Sequence, residues 1–267
     1  MKRFFNILIL ILVLFISNTA FAKDVKFIQV ADLQFKTDNE SVANFEKAIE
    51  KINKTKNLDF VVFTGNNIAS ANPLYLEKFV KLSKKIKVPY YIEIGNQDCF
   101  KSAGVTKSFY LKKLNKFKVK RQKSFNFVVK DGNLAYVFVD GVKEYVPATN
   151  GYYKPETVAW LNEVLKKNKK RTVLIFQHFP LFDLSENSMS NLYKPDYYRD
   201  MLNEHKNVLC IFSGHYHNNY EIMPEHENGA MYIVTEPASL SNSAYREVNI
   251  IDLGDKKYEI YSKVVKF

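Results

Sequence analysis

Five apolar, β-prone runs in this chain each stop at a polar side chain able to ligate a metal. Residues 25–31 run into Asp32, 58–64 into Gly65-Asn66, 88–94 into Gly95-Asn96, 171–177 into His178, and 208–213 into Gly214-His215. Runs so continuously apolar suit strands buried on both faces, as in parallel sheets covered by helices. Helical periodicity separates the first three. Val42, Phe45, Ile49 and Ile52 share one face of residues 39–52, and residues 73–86 open on Pro73. A β-α-β-α-β order predicts an α/β sandwich. Ligands of such sheets gather at the carboxyl ends of the strands, so the five polar ends are expected to converge on one site.

The middle of the chain changes character. Residues 124–130 and 133–140 flank an Asp131-Gly132-Asn133 turn and read as a hairpin. A helix is expected over 154–167, with Trp160, Leu161, Val164 and Leu165 on its apolar side, and another over 196–204. The runs 230–235, 247–253 and 257–265 read as antiparallel strands closing a second sheet. There are no repeats, low-complexity segments or long linkers.

The first 22 residues stand apart. Lys2 and Arg3 precede an apolar run of 13 residues, and Ala20-Phe21-Ala22 is an A-x-A site. This order reads as a signal peptide cleaved near Ala22, giving a periplasmic or secreted protein. The run is short of the roughly 20 residues a membrane span needs, and no later segment is apolar enough for one. Residues 23–267 are then one domain with a sizeable core, supplied by 21 Phe and 17 Tyr.

The formal net charge of +11 falls to +9 without Lys2 and Arg3. Much of the excess lies in Lys84-Lys85, Lys112-Lys113, Lys166-Lys167 and Lys169-Lys170-Arg171, read as solvated helix faces. Such a field can still draw in anionic ligands. No nucleic-acid module is recognisable. Cys99 and Cys210 are too few for a zinc cluster, and the sequence leaves their pairing open.

Two histidines two residues apart at a strand end, in Gly214-His215-Tyr216-His217, can turn two imidazoles toward one centre. His178 also follows an apolar strand. His205 and His226 read as surface residues. Gly95-Asn96-Gln97-Asp98, Gly65-Asn66-Asn67 and Asp32-Leu33-Gln34 are unremarkable singly.

Together the five segments resemble the calcineurin-like metallophosphoesterases. That family carries D-x-H, G-D-x-x-D, G-N-H-[DE], a single His and G-H-x-H in this order. The resemblance covers residues 26–267. It implies a four-layer α/β/β/α sandwich with two mixed sheets, and two divalent ions about 3.5–4 Å apart acting on a phosphate ester. It implies Asp32, Gln34 and His217 around one ion and Asn96, His178 and His215 around the other. Asn66 falls at the bridge and Gln97 at the catalytic position.

The chain departs from the family at these points. The His of D-x-H is Gln34, the bridging Asp is Asn66, the catalytic His is Gln97, and the second Asp of G-D-x-x-D is Ala69. An amide offers one good oxygen and no charge to a pair of cations. Gln97 cannot release a proton near neutral pH. The expectation is therefore a weakened centre holding one Mn, Fe or Zn ion, two, or none. Asp98 or Asp183 is a candidate to restore charge. The ligand class is a small phosphate mono- or diester or another anion. The alternatives are a catalytically inactive pseudo-phosphoesterase binding through the same cleft, and a structural envelope protein using its basic surface.

Overall fold

The computed structural model describes residues 23–116, 122–146, 149–184, 188–223 and 229–267. The expected leader and His226 lie outside these. The first sheet has the order β11-β10-β1-β2-β3 and is built from β1 (Val25–Val30), β2 (Phe60–Thr64), β3 (Tyr90–Glu93), β10 (Ala244–Gly254) and β11 (Lys257–Lys266). The second has the order β4-β5-β6-β7-β9-β8, from β4 (Phe127–Asp131), β5 (Leu134–Val139), β6 (Thr172–Gln177), β7 (Val208–Ser213), β8 (Tyr220–Ile222) and β9 (Met231–Val234). Both sheets are mixed. β1, β2 and β3 run parallel, as do β5, β6, β7 and β9.

The apolar runs are continuous because alternate residues enter two different cores. In β2, Val61 and Phe63 face the helices while Phe60 and Val62 face the opposite sheet. In β6, Val173 and Ile175 face outward and Leu174 and Phe176 inward. The layer between the sheets is largely aromatic. Phe27 meets Phe176 and Phe212 edge-on, with ring centroids 5.4 and 5.1 Å away.

Helices cover the outer faces. α1 (Asn39–Lys54) is capped by Asp38, which accepts from the Ser41 amide at 2.8 Å, and α2 (Pro73–Ser83) is capped by Asn72. Phe45 of α1 and Phe79 of α2 close on Phe63 of β2. A 3-10 turn (Lys101–Ala103) and α3 (Lys107–Asn115) follow β3. α4 (Pro155–Lys167) and α5 (Asp196–Asn203) cover the second sheet, where the Tyr198 hydroxyl donates to Gln177 Oε1 at 2.9 Å. The α/β/β/α sandwich agrees with the expected fold.

Two details differ from expectation. The tail does not close the second sheet as a unit. β8 and β9 join that sheet, whereas β10 and β11 pair antiparallel and extend the first. Antiparallel pairing dictates a neighbour, not a sheet. His205 is buried, with Nε2 2.8 Å from Asn162 Oδ1 on α4. Cys99 and Cys210 are both buried and unpaired, Cys210 between the sheets and Cys99 on the helix side. The lysine clusters do lie on exposed surfaces. Among the described residues no helix is long and apolar enough to cross a membrane.

Candidate metal centre

The strand registers bring the five polar segments to one edge of the sandwich. Val30 pairs with Phe63, and Thr64 with Glu93, so the loops after β1, β2 and β3 leave the sheet side by side. The Asp32 amide donates to the Gly65 carbonyl at 3.1 Å and the Gln34 amide to the Asn66 carbonyl at 2.8 Å. From the second sheet, the Gly214 amide donates to the His178 carbonyl at 3.1 Å. All seven residues expected at the metal positions are thereby brought to one region.

The backbone there is unusual. Asp32, Gln34, Asn66, His215 and His217 have φ of 48, 49, 49, 72 and 52°, in the left-handed region that costs a non-glycine residue about 1–3 kcal/mol. Glycines give the side chains room. A Cβ on Gly95 would lie 2.4 Å from Asn66 Oδ1 and 2.7 Å from His178 Nε2, and one on Gly214 would lie 2.6 Å from Asp32 Oδ2.

The seven side chains divide into two halves with opposite character. In the first, Asp32 is the hub. Its Oδ1 accepts from Asn66 Nδ2 at 3.0 Å and lies 3.3 Å from His217 Nε2, and its Oδ2 accepts from the His215 amide at 2.8 Å. Gln34 Nε2 is 3.2 Å from His217 Nε2. Burial pushes the Asp32 carboxyl up, but the bond to His217, the nearby imidazoles and the His215 amide together hold it below its ordinary value. The same bond to Asp32 outweighs burial and raises His217. Asp32 is thus already satisfied by protein hydrogen bonds, while Gln34 Nε2 meets a His217 nitrogen that already donates to Asp32. The Asn66 amide presents its NH2 to Asp32, where the family's bridging acid would present oxygen.

The second half is not satisfied. His178 Nδ1 lies 2.8 Å from the Thr64 carbonyl, which can only accept, so Nδ1 carries the proton. Burial holds the His178 ring below its ordinary value and therefore neutral. Its Nε2 is then a bare lone pair, facing the amide oxygen of Asn96 at 3.2 Å. Two acceptors so placed repel each other, and a cation between or beside them would remove that repulsion. His215 repeats the pattern. Its Nε2 is 3.0 Å from the Ser190 carbonyl, which leaves Nδ1 as the free lone pair, and its ring centroid is 5.0 Å from that of His178. Burial and repulsion from His178 push His215 down to about 3. Asn66 Oδ1 accepts from the Gln97 amide at 2.9 Å beside this group.

Among the described residues no three His, Cys, Asp or Glu side chains form a metal-holding group. The amide substitutions explain this. The ionisable ligands fall into pairs, Asp32 with His217 and His178 with His215, and amides complete each set. Two neutral imidazoles and an amide oxygen remain a reasonable donor set for one transition-metal ion.

Neither candidate for restoring charge reaches the centre. Asp98 is fully buried and acts as a clasp. Its Oδ2 accepts from the Gly95 amide at 2.8 Å and from Asn67 Nδ2 at 3.1 Å, and its Oδ1 accepts from the Ile68 amide at 3.0 Å. Asp183 lies on the surface, 3.7 Å from Arg199. Gln97 borders the centre, and its Oε1 has no hydrogen-bond partner among the described residues.

Residues outside the motifs also support the site. Gln29 Nε2 donates to Thr64 Oγ1 at 3.0 Å and to the Ser213 carbonyl at 2.9 Å, while its Oε1 accepts from Thr235 at 2.7 Å. Buried Arg246 extends this network to Asn219 beside the histidine loop. The sequence signal is a lone Gln inside an apolar strand.

Such a sandwich, with imidazoles, a carboxylate and amides at the carboxyl ends of both sheets, defines a phosphoesterase-type protein. The sequence profile of the Calcineurin-like phosphoesterase family matches residues 25–219, and the chain belongs to that family. A crystal structure of a dimetal phosphatase from Danio rerio superposes with a TM-score of 0.69 at 15% identity, over 91% of this chain and 99% of the other. The manganese-dependent ADP-ribose/CDP-alcohol diphosphatase of Bos taurus is 35% identical over 75 residues, 26% of this chain and 21% of its own. The uncharacterized protein YvnB of Bacillus subtilis is 23% identical over 209 residues, 74% of this chain and 16% of its own length. This chain therefore spans 21% and 16% of the lengths of these two relatives.

Proposed function

We propose that this chain is an exported metallophosphoesterase-like protein acting on phosphate mono- or diesters through a weakened, single-ion centre. Residues 23–267 form its working domain, and residues 1–22 direct its export. The observation that supports the centre is the facing pair of acceptors, His178 Nε2 and Asn96 Oδ1, 3.2 Å apart. Asn96, His178 and His215 would hold one Mn, Fe or Zn ion, with the side-chain oxygen of Asn66, Oδ1, beside them. A bound ion would supply polarisation of a phosphoryl oxygen.

The remaining work falls to the chain's own groups. His217 falls at a ligand position of the family's other ion. Its side chain is 45% exposed and its Nε2 is paired with Asp32, which leaves Nδ1 as the ring nitrogen facing an approaching ester. The Gln97 amide can donate a hydrogen bond to an ester oxygen but cannot protonate a leaving group. Hydrolysis on this reading is slow.

The closed Asp32–Asn66–His217–Gln34 half favours a second reading, an inactive relative that binds an anion in the same cleft. Metal analysis combined with turnover of bis-p-nitrophenyl phosphate tests both. One ion per chain with slow turnover supports the first reading. The triple variant Gln34→His, Asn66→Asp, Gln97→His is then expected to hold two ions and to be faster by at least about 100-fold. Protein that binds an ion but stays inert supports the second. Protein that takes up no Mn, Fe or Zn on reconstitution sinks the single-ion centre.

A further inference from the structure

Beside Asn96 and Gln97 the strand ends open into a cavity of about 690 Å3. Its far walls come from the segment entering α2, including Ala69 and Pro73, and from Phe100 and Ala103 around the 3-10 turn. Ala69 stands where the family pattern has an acid. Among the described residues none that lines the cavity carries a formal charge, although the chain as a whole is strongly basic. The Cys99 thiol there is held neutral by burial.

Three features together indicate what fits. The volume lies in the roughly 300–1,000 Å3 range of pockets for organic ligands and far exceeds what a phosphoryl group needs. A second anionic group placed there would find no charged side chain among the described lining residues to pair with. Pro73 and Phe100 offer flat apolar faces, and the hydroxyls of Ser70 and Thr149 offer a few polar contacts.

We infer that this cavity seats the uncharged, ring-sized organic group of a phosphate ester whose phosphoryl end lies at Asn96 and His178. The inference deepens the phosphoester reading above and rests on it for the position of the phosphoryl end. Among the described lining residues the cavity offers no charged side chain to leaving groups that carry further phosphates. Selectivity comes from burying a ring against Pro73 and Phe100, not from ion pairing.

The test uses the full chain, methyl-labelled at alanine and loaded with Zn2+, titrated by NMR with non-hydrolysable probes. Phenylphosphonate and methylphosphonate share a head and differ in the organic group. Benzyl alcohol carries a ring with no head. Phenylphosphonate is expected to bind at least about tenfold tighter than methylphosphonate and to shift the Ala69 and Ala103 methyl signals. That ratio should collapse in Ala103→Trp and in Ser70→Trp, two exposed positions where a large side chain fills the cavity without entering the core. Equal binding of the two phosphonates, or a ratio that survives both substitutions, overturns the inference. Benzyl alcohol shifting the same methyls while methylphosphonate fails to bind upholds the cavity and overturns the phosphoester reading instead.

Discussion

Asn66 Nδ2 donates to Oδ1 of Asp32 across 3.0 Å, at the point where the family's two ions would share a carboxylate. This bond makes the metal-free first half stable as it stands. Replacing Asn66 with Asp sets two carboxylates against each other. Asn66→Asp is therefore expected to lower the stability of metal-free protein by about 1–3 kcal/mol. Excess Mn2+ should reverse the loss. Thermal melts with and without the ion check this, and a loss that Mn2+ does not reverse would count against the bridging position.

His178 serves two partners. Its Nδ1 holds the Thr64 carbonyl and its Nε2 faces Asn96. His178→Ala is expected to abolish ion uptake and to cost about 1–3 kcal/mol for the orphaned carbonyl. Asn96→Ala should abolish uptake with little loss of stability, because no described backbone group depends on its side chain. Calorimetric metal titration alongside urea melts separates the two effects.

A methyl group at Gly95 has nowhere to go. Its Cβ would fall 2.4 Å from the backbone nitrogen and Oδ1 of Asn66, and backbone cannot swing aside. Gly95→Ala should destabilise by about 1–3 kcal/mol or more and abolish ion uptake. Gly132→Ala is the control for space, since a Cβ there meets nothing within 4 Å, although its φ is positive, at 55°, and that of Gly95 is not. It should carry only the conformational cost, measured by urea melts.

Glu93, at the end of β3, is fully buried. Its Oε1 accepts from the Ile94 amide at 2.9 Å and its Oε2 has no hydrogen-bond partner among the described residues. Burial, with repulsion from Asp140 and Asp98, pushes the carboxyl well above its ordinary value against the Ile94 amide and Lys107. A folded value above the unfolded one means that the stabilisation is complete below the unfolded value of about 4.3. It is lost as pH rises through the folded value. Stability should thus decline as pH rises from about 4.3 toward the folded value and level off above it, with a slope up to about 1.4 kcal/mol per pH unit from this group. Glu93→Gln should flatten the decline. Urea melts across pH 5 to 9 check it, and an unchanged slope in the variant would show that Glu93 is not the source.

Much of the fold is legible in the sequence because β2, β5 and β6 are buried on both faces and leave unbroken apolar runs. α3 is not legible, since only Tyr110 and Leu114 are buried on it and its apolar pattern is weak. β8 has three residues, too few for a period to show. The alternation of β10 and β11 is clear, but it cannot say which sheet they join. At the site, the five strand ends declare themselves through residue type and order. What the letters cannot convey is the direction of an amide. Asn66 turning its NH2 to Asp32, and Asn96 turning its oxygen to His178, give similar residues opposite roles. The Ser190 carbonyl that orients His215 is equally hidden, because any residue can supply a carbonyl.

The left-handed backbone at Asp32, Gln34, Asn66, His215 and His217 has a kinetic consequence. These conformations are tied by main-chain bonds between neighbouring loops. On the single-ion reading, a cation arriving at Asn96, His178 and His215 meets loops already set in place. The speed of loading is then governed by how fast the ion sheds its water, not by rearrangement of the chain. Ions that exchange water quickly should enter at rates close to encounter, and sluggish ones in proportion to their hydration lifetimes.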